Sequence, residues 1–186
     1  KIEDLKGTKA AISRYGSGSH LMAYINAENN GWDLEKDLDF EVIKNLEGAV
    51  EGLTQGKADY FMWEKFTTKP LVDNGTFRRV DNCPSPWPCF VIAVREEFLK
   101  TNKDDVKAIL DIVNATTQEF KDIPSIDRMI ANRYEQELED VQEWLGLTEW
   151  SQENISKKTV QKVQDELFAL NIIPEKWKYE DLVADV

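Results

Sequence analysis

The chain has 186 residues, 41% of them hydrophobic and 31% charged, which is the composition of a globular protein and excludes a disordered or fibrous one. Its net charge of -12 would repel phosphate backbones and anionic lipid surfaces, so no nucleic-acid partner is expected. No run of about 18 apolar residues is present, so the sequence predicts no membrane-spanning helix.

The first half of the chain alternates short apolar runs with stretches of helical periodicity. Apolar runs of four or five residues predict strands, and apolar residues that recur every three or four positions predict helices. Their alternation predicts an α/β fold with a mostly parallel sheet and flanking helices. The predicted strands are residues 9–13, 40–44, 59–63 and 77–80, and the predicted helices are residues 18–30, 46–55 and 64–73, the last weakened by Pro70.

The second half opens on a proline-rich linker and is then mainly helical. Three prolines within residues 84–88 forbid a helix and predict an extended crossover over 83–88. Residues 89–94 are continuously apolar and predict a strand buried on both faces. The predicted helices are residues 103–120, with Val106, Ile109, Leu110 and Val113 on one stripe, 126–134, with Ser125 as N-cap, 138–145, 159–170 and 179–184.

Two cysteines lie six positions apart at the ends of the linker. A disulfide between Cys83 and Cys89 would close a short, proline-stiffened loop and suit an oxidising compartment, and the alternative is two reduced, partly buried thiols. Two cysteines cannot complete a structural zinc site, and the one histidine, His20, is distant in sequence. No metal and no cofactor are expected.

The strongest local signal is a glycine- and serine-rich loop between the first strand and the first helix. Glycines allow a ligand to approach the backbone, serine hydroxyls donate and accept hydrogen bonds, and a helix N-terminus offers free N–H groups to a polar or anionic group. The alternative is an ordinary turn with a helix cap. The candidate ligand-binding residues in this loop are Arg14, Gly16, Ser17, Gly18 and Ser19.

A second candidate position follows the third predicted strand. Because ligands of open α/β sheets bind at the carboxyl ends of the strands, Glu64 could converge with the glycine-serine loop. Alternatively, Trp63 belongs to the core and Glu64 only begins the next helix, where acidic residues are favoured. Trp87 in the linker could stack on a ligand or pack on a hinge. No nucleophile is paired with a base, so the sequence does not predict an enzyme.

Four segments, in order, resemble type II periplasmic binding proteins, and most closely the group that binds nitrate, sulfonates, taurine and thiamine-pyrimidine precursors. Residues 4–12 (DLKGTKAAI), followed by the glycine-serine loop, are similar to the opening of the second lobe of that group. Residues 48–59 resemble a helix that ends in Gly before a strand that begins with Asp. Trp63-Glu64 matches the start of a W-E-P motif, in which Lys65 replaces the proline. Residues 89–99 and 160–174 resemble the return strand and the closing helix.

This resemblance implies two lobes that close on a ligand. Residues 1–82 would be the second-lobe α/β domain, 83–88 the hinge, and 89–186 the mainly helical C-terminal part of the first lobe. Because the first lobe of these proteins begins earlier and this sequence opens on Lys1, we expect a processed or truncated chain. Residues 89–94 would then lack sheet neighbours, and we expect the isolated chain to form a dimer through them or to rearrange there.

The function implied by the resemblance is that of the extracytoplasmic solute-binding component of a bacterial ABC importer. Such a protein is periplasmic or lipid-anchored outside the cytoplasmic membrane, and its partners are a small polar metabolite and a membrane permease. Glu64 in the cleft would favour a heterocyclic or amine-bearing ligand over a purely anionic one. Two alternatives remain, namely a ligand-sensing regulatory domain of the same fold and a pyrimidine-synthase-like enzyme, whose cysteine-rich motif is absent here.

Overall fold

A computed structural model describes residues 1–186, which form two compact units. The first consists of Lys1–Pro86 with Leu167–Pro174, and the second of Trp87–Glu166 with Glu175–Val186. The division at residues 86 and 87 lies within the predicted linker. No helix is both long and apolar enough to cross a membrane.

The first unit is a three-stranded parallel sheet covered by helices. A 3-10 helix, Ile2–Leu5, comes first. The strands are β1 (Lys9–Ile12), β2 (Asp39–Val42) and β3 (Tyr60–Phe61), and the helices that follow them are α1 (Gly18–Asn29), α2 (Leu46–Thr54) and α3 (Lys65–Asp73). The sheet order is β2-β1-β3, and both pairings are parallel, as predicted. These elements confirm the predicted bounds to within two residues.

The central strand carries the core of the first unit. Successive side chains of a strand point to opposite faces of the sheet, so Ala10 and Ala11 face different layers. Ala10 packs with Ala23 of α1, and Ala11 packs with Ala49 of α2. Small side chains allow both helices to approach the sheet closely. Ile12, which ends β1, is fully buried.

The predicted fourth strand, residues 77–80, is wrong. The backbone N–H of Phe77 donates to the carbonyl of Leu71 in α3 at 2.7 Å, and the Phe77 ring packs edge-on against Phe61 with centroids 5.5 Å apart. These two contacts hold the segment against the end of α3, where it pairs with no strand. Phe77 therefore packs against β3 without adding a strand to the sheet.

The predicted strand over residues 89–94 is also wrong. This segment has no regular secondary structure and is exposed where burial on both faces was expected. Phe90 is 90% exposed, Val91 66% and Ile92 64%. An apolar run forms a strand only where another strand accepts its hydrogen bonds, and no strand lies in the second unit.

The second unit is helical, as predicted. Its helices are α4 (Glu96–Thr101), α5 (Lys103–Glu119), a 3-10 helix (Phe120–Asp122), α6 (Ile126–Tyr134), α7 (Leu138–Leu147), the part of α8 (Lys157–Ala169) up to Glu166, and α9 (Tyr179–Leu182). Ser125 precedes α6, but with φ of 60° its side chain makes no capping hydrogen bond. The predicted stripe on α5 is correct for Val106, which is buried, and wrong for Ile109, which is 55% exposed.

Polar contacts supplement a small core in the second unit. The buried side chain of Gln164 accepts a hydrogen bond from the Trp177 N–H at 2.6 Å and donates to the Trp177 carbonyl at 3.1 Å. Both backbone groups of Trp177 are thereby satisfied, so the segment that leads to α9 is fixed against α8. The buried apolar side chains of the unit are Val106, Ile126, Ala131, Val141 and Val160.

Candidate functional site

Three serine hydroxyls organise the loop between β1 and α1. The Oγ of Ser19 accepts a hydrogen bond from the Ser13 N–H at 2.9 Å and lies 3.0 Å from the Oγ of Ser17. Ser17 is the N-cap of α1, and its Oγ accepts from the His20 N–H at 3.3 Å. Gly16 has φ of 74°, a conformation that favours glycine, and it directs the chain from the strand into the helix.

The exposed part of this loop can receive a polar group. Ser17 is buried beneath it, while Arg14, Gly16 and Gly18 are exposed and Ser19 is half-buried. The backbone N–H groups of Gly18 and Ser19 belong to the first turn of α1, so they have no acceptor within their own helix. They point along the positive end of the helix dipole, where an anionic oxygen is stabilised.

His20 is buried under the loop and holds it in place, a role that the sequence analysis did not predict. Its Nδ1 accepts a hydrogen bond from the Gly16 N–H at 3.1 Å, so the neutral imidazole carries its proton on Nε2. Nε2 is buried without a hydrogen-bond partner. The rings of Tyr15, Tyr24 and Phe40 surround the imidazole edge-on, with centroids 4.8–5.2 Å away. Burial lowers the pKa of His20 below its usual 6.5.

Acidification is therefore expected to destabilise the first unit and its loop. The folded state holds His20 neutral, whereas the unfolded chain takes up a proton near pH 6.5, so stability is complete above that pH and falls as the pH decreases toward the lower pKa of the folded state. A proton on Nδ1 would also break the hydrogen bond from the Gly16 N–H, because a protonated nitrogen cannot accept it. Because the chain has a single histidine, an NMR titration of the imidazole protons measures this pKa directly. The expected midpoint lies below 6.5.

The matched variant for this experiment is His20→Asn. Its amide oxygen can replace Nδ1 as the acceptor of the Gly16 N–H, but it does not titrate. We expect the urea midpoint of this variant to change less between pH 7 and pH 5 than that of the parent chain. A His20 midpoint at or above 6.5 would contradict the structural account of this residue.

The other candidate residues follow the neighbouring strand at the same edge of the sheet. Since the three strands are parallel, the segments after Ile12, Val42 and Phe61 all leave the sheet at its carboxyl edge. Trp63 is partly exposed there, 6.2 Å from the Phe61 ring. The N-cap of α3 is Glu64, whose Oε2 accepts from Phe66 N–H at 2.9 Å and from Thr67 N–H at 2.8 Å.

The remaining candidate residue, Trp87, and the two cysteines lie in or beside the linker. Trp87 is half-buried and belongs to the second unit. Cys83 and Cys89 are free thiols in this structure. Cys83 is half-buried and accepts a weak hydrogen bond from the Asn29 amide at 3.8 Å, and burial raises its pKa. No group of three or more potential metal ligands is present.

The three-stranded parallel sheet and its flanking helices are typical of a known fold. The chain has the periplasmic binding protein fold. A family model described as Ca3427-like PBP matches residues 1–83, which include the whole sheet and the glycine-serine loop. No curated protein sequence matches the chain.

Three solved structures are similar to the chain. The Candida albicans CA3427 gene product, described as having the generic periplasmic binding protein fold, is 25% identical over 90% of this chain with a TM-score of 0.80. The alkanesulfonate-binding protein SsuA from Xanthomonas axonopodis pv. citri, bound to MOPS, is 15% identical over 95% with a TM-score of 0.72. The aliphatic sulphonate binding protein SsuA from Escherichia coli is 13% identical over 100% with a TM-score of 0.60. The chain spans 57%, 62% and 61% of these three chains, respectively.

Proposed function

We propose that the chain is part of a solute-binding protein and contributes the glycine-serine loop to the binding of a small polar metabolite. The observation that carries this proposal is the start of α1, where the Gly18 and Ser19 N–H groups lie beside an ordered network of serine hydroxyls. These donors need no rearrangement to meet a ligand oxygen. A preorganised site of this kind loses less entropy on binding than a mobile loop does.

The ligand that this loop suits best carries an anionic oxygen group. A charged Glu64 side chain beside the loop would favour a heterocyclic or amine-bearing ligand instead. However, one oxygen of its carboxylate accepts two backbone hydrogen bonds at the start of α3, which compensates part of its charge and weakens that preference. The names of the two SsuA proteins, which describe them as sulfonate-binding, also support an anionic ligand. We therefore propose a sulfonate or a similar oxyanion-bearing metabolite.

The proposed mechanism is binding and release without catalysis. Closure of two lobes about the linker, residues 83–88, would bury the ligand, and the closed form would dock on the permease of an ABC importer outside the cytoplasmic membrane. Two of the similar structures are binding proteins whose names include a sulfonate ligand, which supports this context. The similarity to the Candida albicans protein supports the fold alone, and this fold is also compatible with a ligand-sensing regulatory domain.

The test removes one backbone donor without disturbing the helix. Gly18→Pro deletes the N–H at the first position of α1, where proline is favoured, and the extended conformation of Ser17 (φ −83°, ψ 168°) tolerates a following proline. Gly18→Ala is the matched control, because it keeps the N–H and its added carbon would meet no atom within 4 Å. Calorimetric titration in Tris, which contains no sulfonate, would cover taurine, alkanesulfonates, MOPS, nitrate, amino acids and thiamine precursors.

We expect a ligand from the oxyanion-bearing group whose affinity falls about 10- to 100-fold in Gly18→Pro, the effect of losing a hydrogen bond to a charged group. Gly18→Ala should bind as the parent chain does, and Glu64→Gln should change affinity little. A ligand that binds equally well to Gly18→Pro would contradict the role of the loop. A folded chain that binds none of these compounds would favour the regulatory alternative.

A further inference from the structure

His20 is the buried side chain that both contacts the glycine-serine loop and can change its charge near neutral pH. Only 6% of its surface is exposed, although it lies in the first turn of α1. Its Nδ1 is occupied by the Gly16 N–H, and its Nε2 is buried without a hydrogen-bond partner. A ligand above the loop meets neither nitrogen, so any effect of His20 on binding must pass through Gly16.

The hydrogen bond between Gly16 and His20 joins the loop to the helix that follows it. Gly16 has φ of 74° and directly precedes Ser17, the N-cap of α1. The Ser17 hydroxyl accepts from the His20 N–H at 3.3 Å and lies 3.0 Å from the Oγ of Ser19. The contacts therefore close a ring that runs from Gly16 through Ser17 and back to His20. A change at His20 Nδ1 reaches the residues that immediately precede the free N–H groups of the helix.

The surroundings of His20 suit a neutral imidazole and offer no partner to an imidazolium. Three aromatic rings pack edge-on against it, Tyr15 from the loop, Tyr24 from α1 and Phe40 from β2. The two phenols are the titratable groups among these neighbours, and both are neutral in the acid range. Burial is the cause of the lowered pKa of His20, and no neighbouring charge adds to it. Tyr24 and Phe40 are half-buried, whereas Tyr15 is 64% exposed and is the neighbour that can move into solvent.

We propose that His20 is the positioning residue of the glycine-serine loop and that, through it, ligand binding and protonation oppose each other. This inference rests on the proposed function, because it concerns the ligand site at the start of α1. The neutral imidazole holds Gly16 and the serine network in the conformation that presents the N–H groups of Gly18 and Ser19. The imidazolium carries a proton on Nδ1, cannot accept from Gly16, and releases Tyr15 and Gly16 toward solvent.

The sign of the coupling separates this mechanism from simple charge attraction. An anionic ligand attracts an imidazolium, so charge alone would raise the pKa of His20 when the ligand binds. A ligand that requires the loop held by neutral His20 lowers that pKa instead, because coupling between two bound species is reciprocal. A ligand that binds only the neutral form loses affinity about 10-fold for each pH unit below the His20 midpoint of the ligand-free chain.

The first part of the test needs no ligand. NMR of the full chain follows the His20 imidazole and the protection of backbone amides against hydrogen exchange as the pH is lowered from 7. We expect the protection factor of the Gly16 amide to fall at the His20 midpoint, before those of the β1 amides do. His20→Asn keeps an acceptor for the Gly16 N–H but does not titrate, so its Gly16 amide should stay protected over the same range.

The second part measures binding of ethanesulfonate, which stays ionised over this pH range. At pH 7, His20→Leu fills the space among the rings without an acceptor and should bind about 10-fold more weakly than the parent chain, whereas His20→Asn should restore most of the affinity. One pH unit below the His20 midpoint, the affinity of the parent chain should fall about 10-fold and that of His20→Asn should not. Circular dichroism confirms that both variants are folded.

Three results would overturn the positioning role of His20. One is a Gly16 amide that stays protected while the imidazole titrates, and another is a His20 pKa that ethanesulfonate raises. The third is a folded His20→Leu variant that binds ethanesulfonate as the parent chain does. A chain that binds no ethanesulfonate, but whose Gly16 amide follows the titration of His20, would contradict the proposed ligand class and support the control of the loop by His20.

Discussion

Replacing Gly48 with alanine is expected to destabilise the first unit by about 3 kcal/mol. Gly48 lies in the first turn of α2, where an added β-carbon would overlap the backbone carbonyl oxygen of Ile43. That carbonyl cannot rotate away. The Ile43 N–H donates to the Ile12 carbonyl at 2.8 Å, Lys44 has φ of 69°, and Asn45 Oδ1 accepts from the Gly48 N–H at 2.9 Å.

The matched control is Gly146→Ala in α7. No atom lies within 4 Å of the position of its added carbon, and alanine favours a helix by up to about 1 kcal/mol over glycine. In urea unfolding, the free energy of unfolding should therefore decrease in Gly48→Ala and increase in Gly146→Ala. Hydrogen exchange of the β1 amides would measure the local effect in the first unit. Equal stability of Gly48→Ala and the parent chain would mean that the turn between β2 and α2 is looser than described.

The Ile12→Ala substitution is expected to cost about 2–5 kcal/mol of stability in the same unit. Ile12 ends the central strand and is the one large side chain with no exposed surface. Its loss leaves a cavity between strands and helices whose backbone positions are fixed by the parallel register. We also expect this substitution to weaken ligand binding, because the glycine-serine loop begins at the residue after Ile12.

Val42→Ala provides the comparison for this effect. Val42 is directly opposite Ile12 in the register of β1 and β2, but it is 42% exposed. Its truncation removes little buried surface, so we expect a loss below about 1 kcal/mol. Similar losses of stability in Ile12→Ala and Val42→Ala would indicate that the core is not centred on Ile12 and the buried alanines.

The sequence was sufficient to predict the α/β part of the fold because its local signals agree with one another. Ser17 and Asn45 cap the helices that apolar periodicity predicts, and glycines with positive φ, such as Gly16 and Gly56, lie where the chain must turn. The two strands that were predicted wrongly are residues 77–80 and 89–94. Both segments have apolar residues in a pattern typical of strands. A strand also needs a second strand to pair with, and the local sequence does not show whether one is available.

The candidate site was predictable only in part, for a similar reason. The glycine and serine residues of the loop point to the backbone N–H groups of Gly18 and Ser19 as donors, because free N–H groups at a helix start follow from local geometry. The position of His20 depends on aromatic residues from a distant strand and from the next turn of its own helix. Glu64 had two possible uses, and only the distances from its Oε2 to backbone nitrogens reveal its use as a cap.

The two thiols of the linker differ in a way that has a practical use. Cys89 is exposed, whereas Cys83 is half-buried, and its raised pKa reduces the reactive thiolate at neutral pH. A maleimide dye or a nitroxide should therefore attach to Cys89 first, without any engineered residue. Since Cys89 begins the exposed apolar segment, the label would sit beside it. Changes in its fluorescence polarisation or its spin–spin distance would follow whatever comes to occupy that segment in solution.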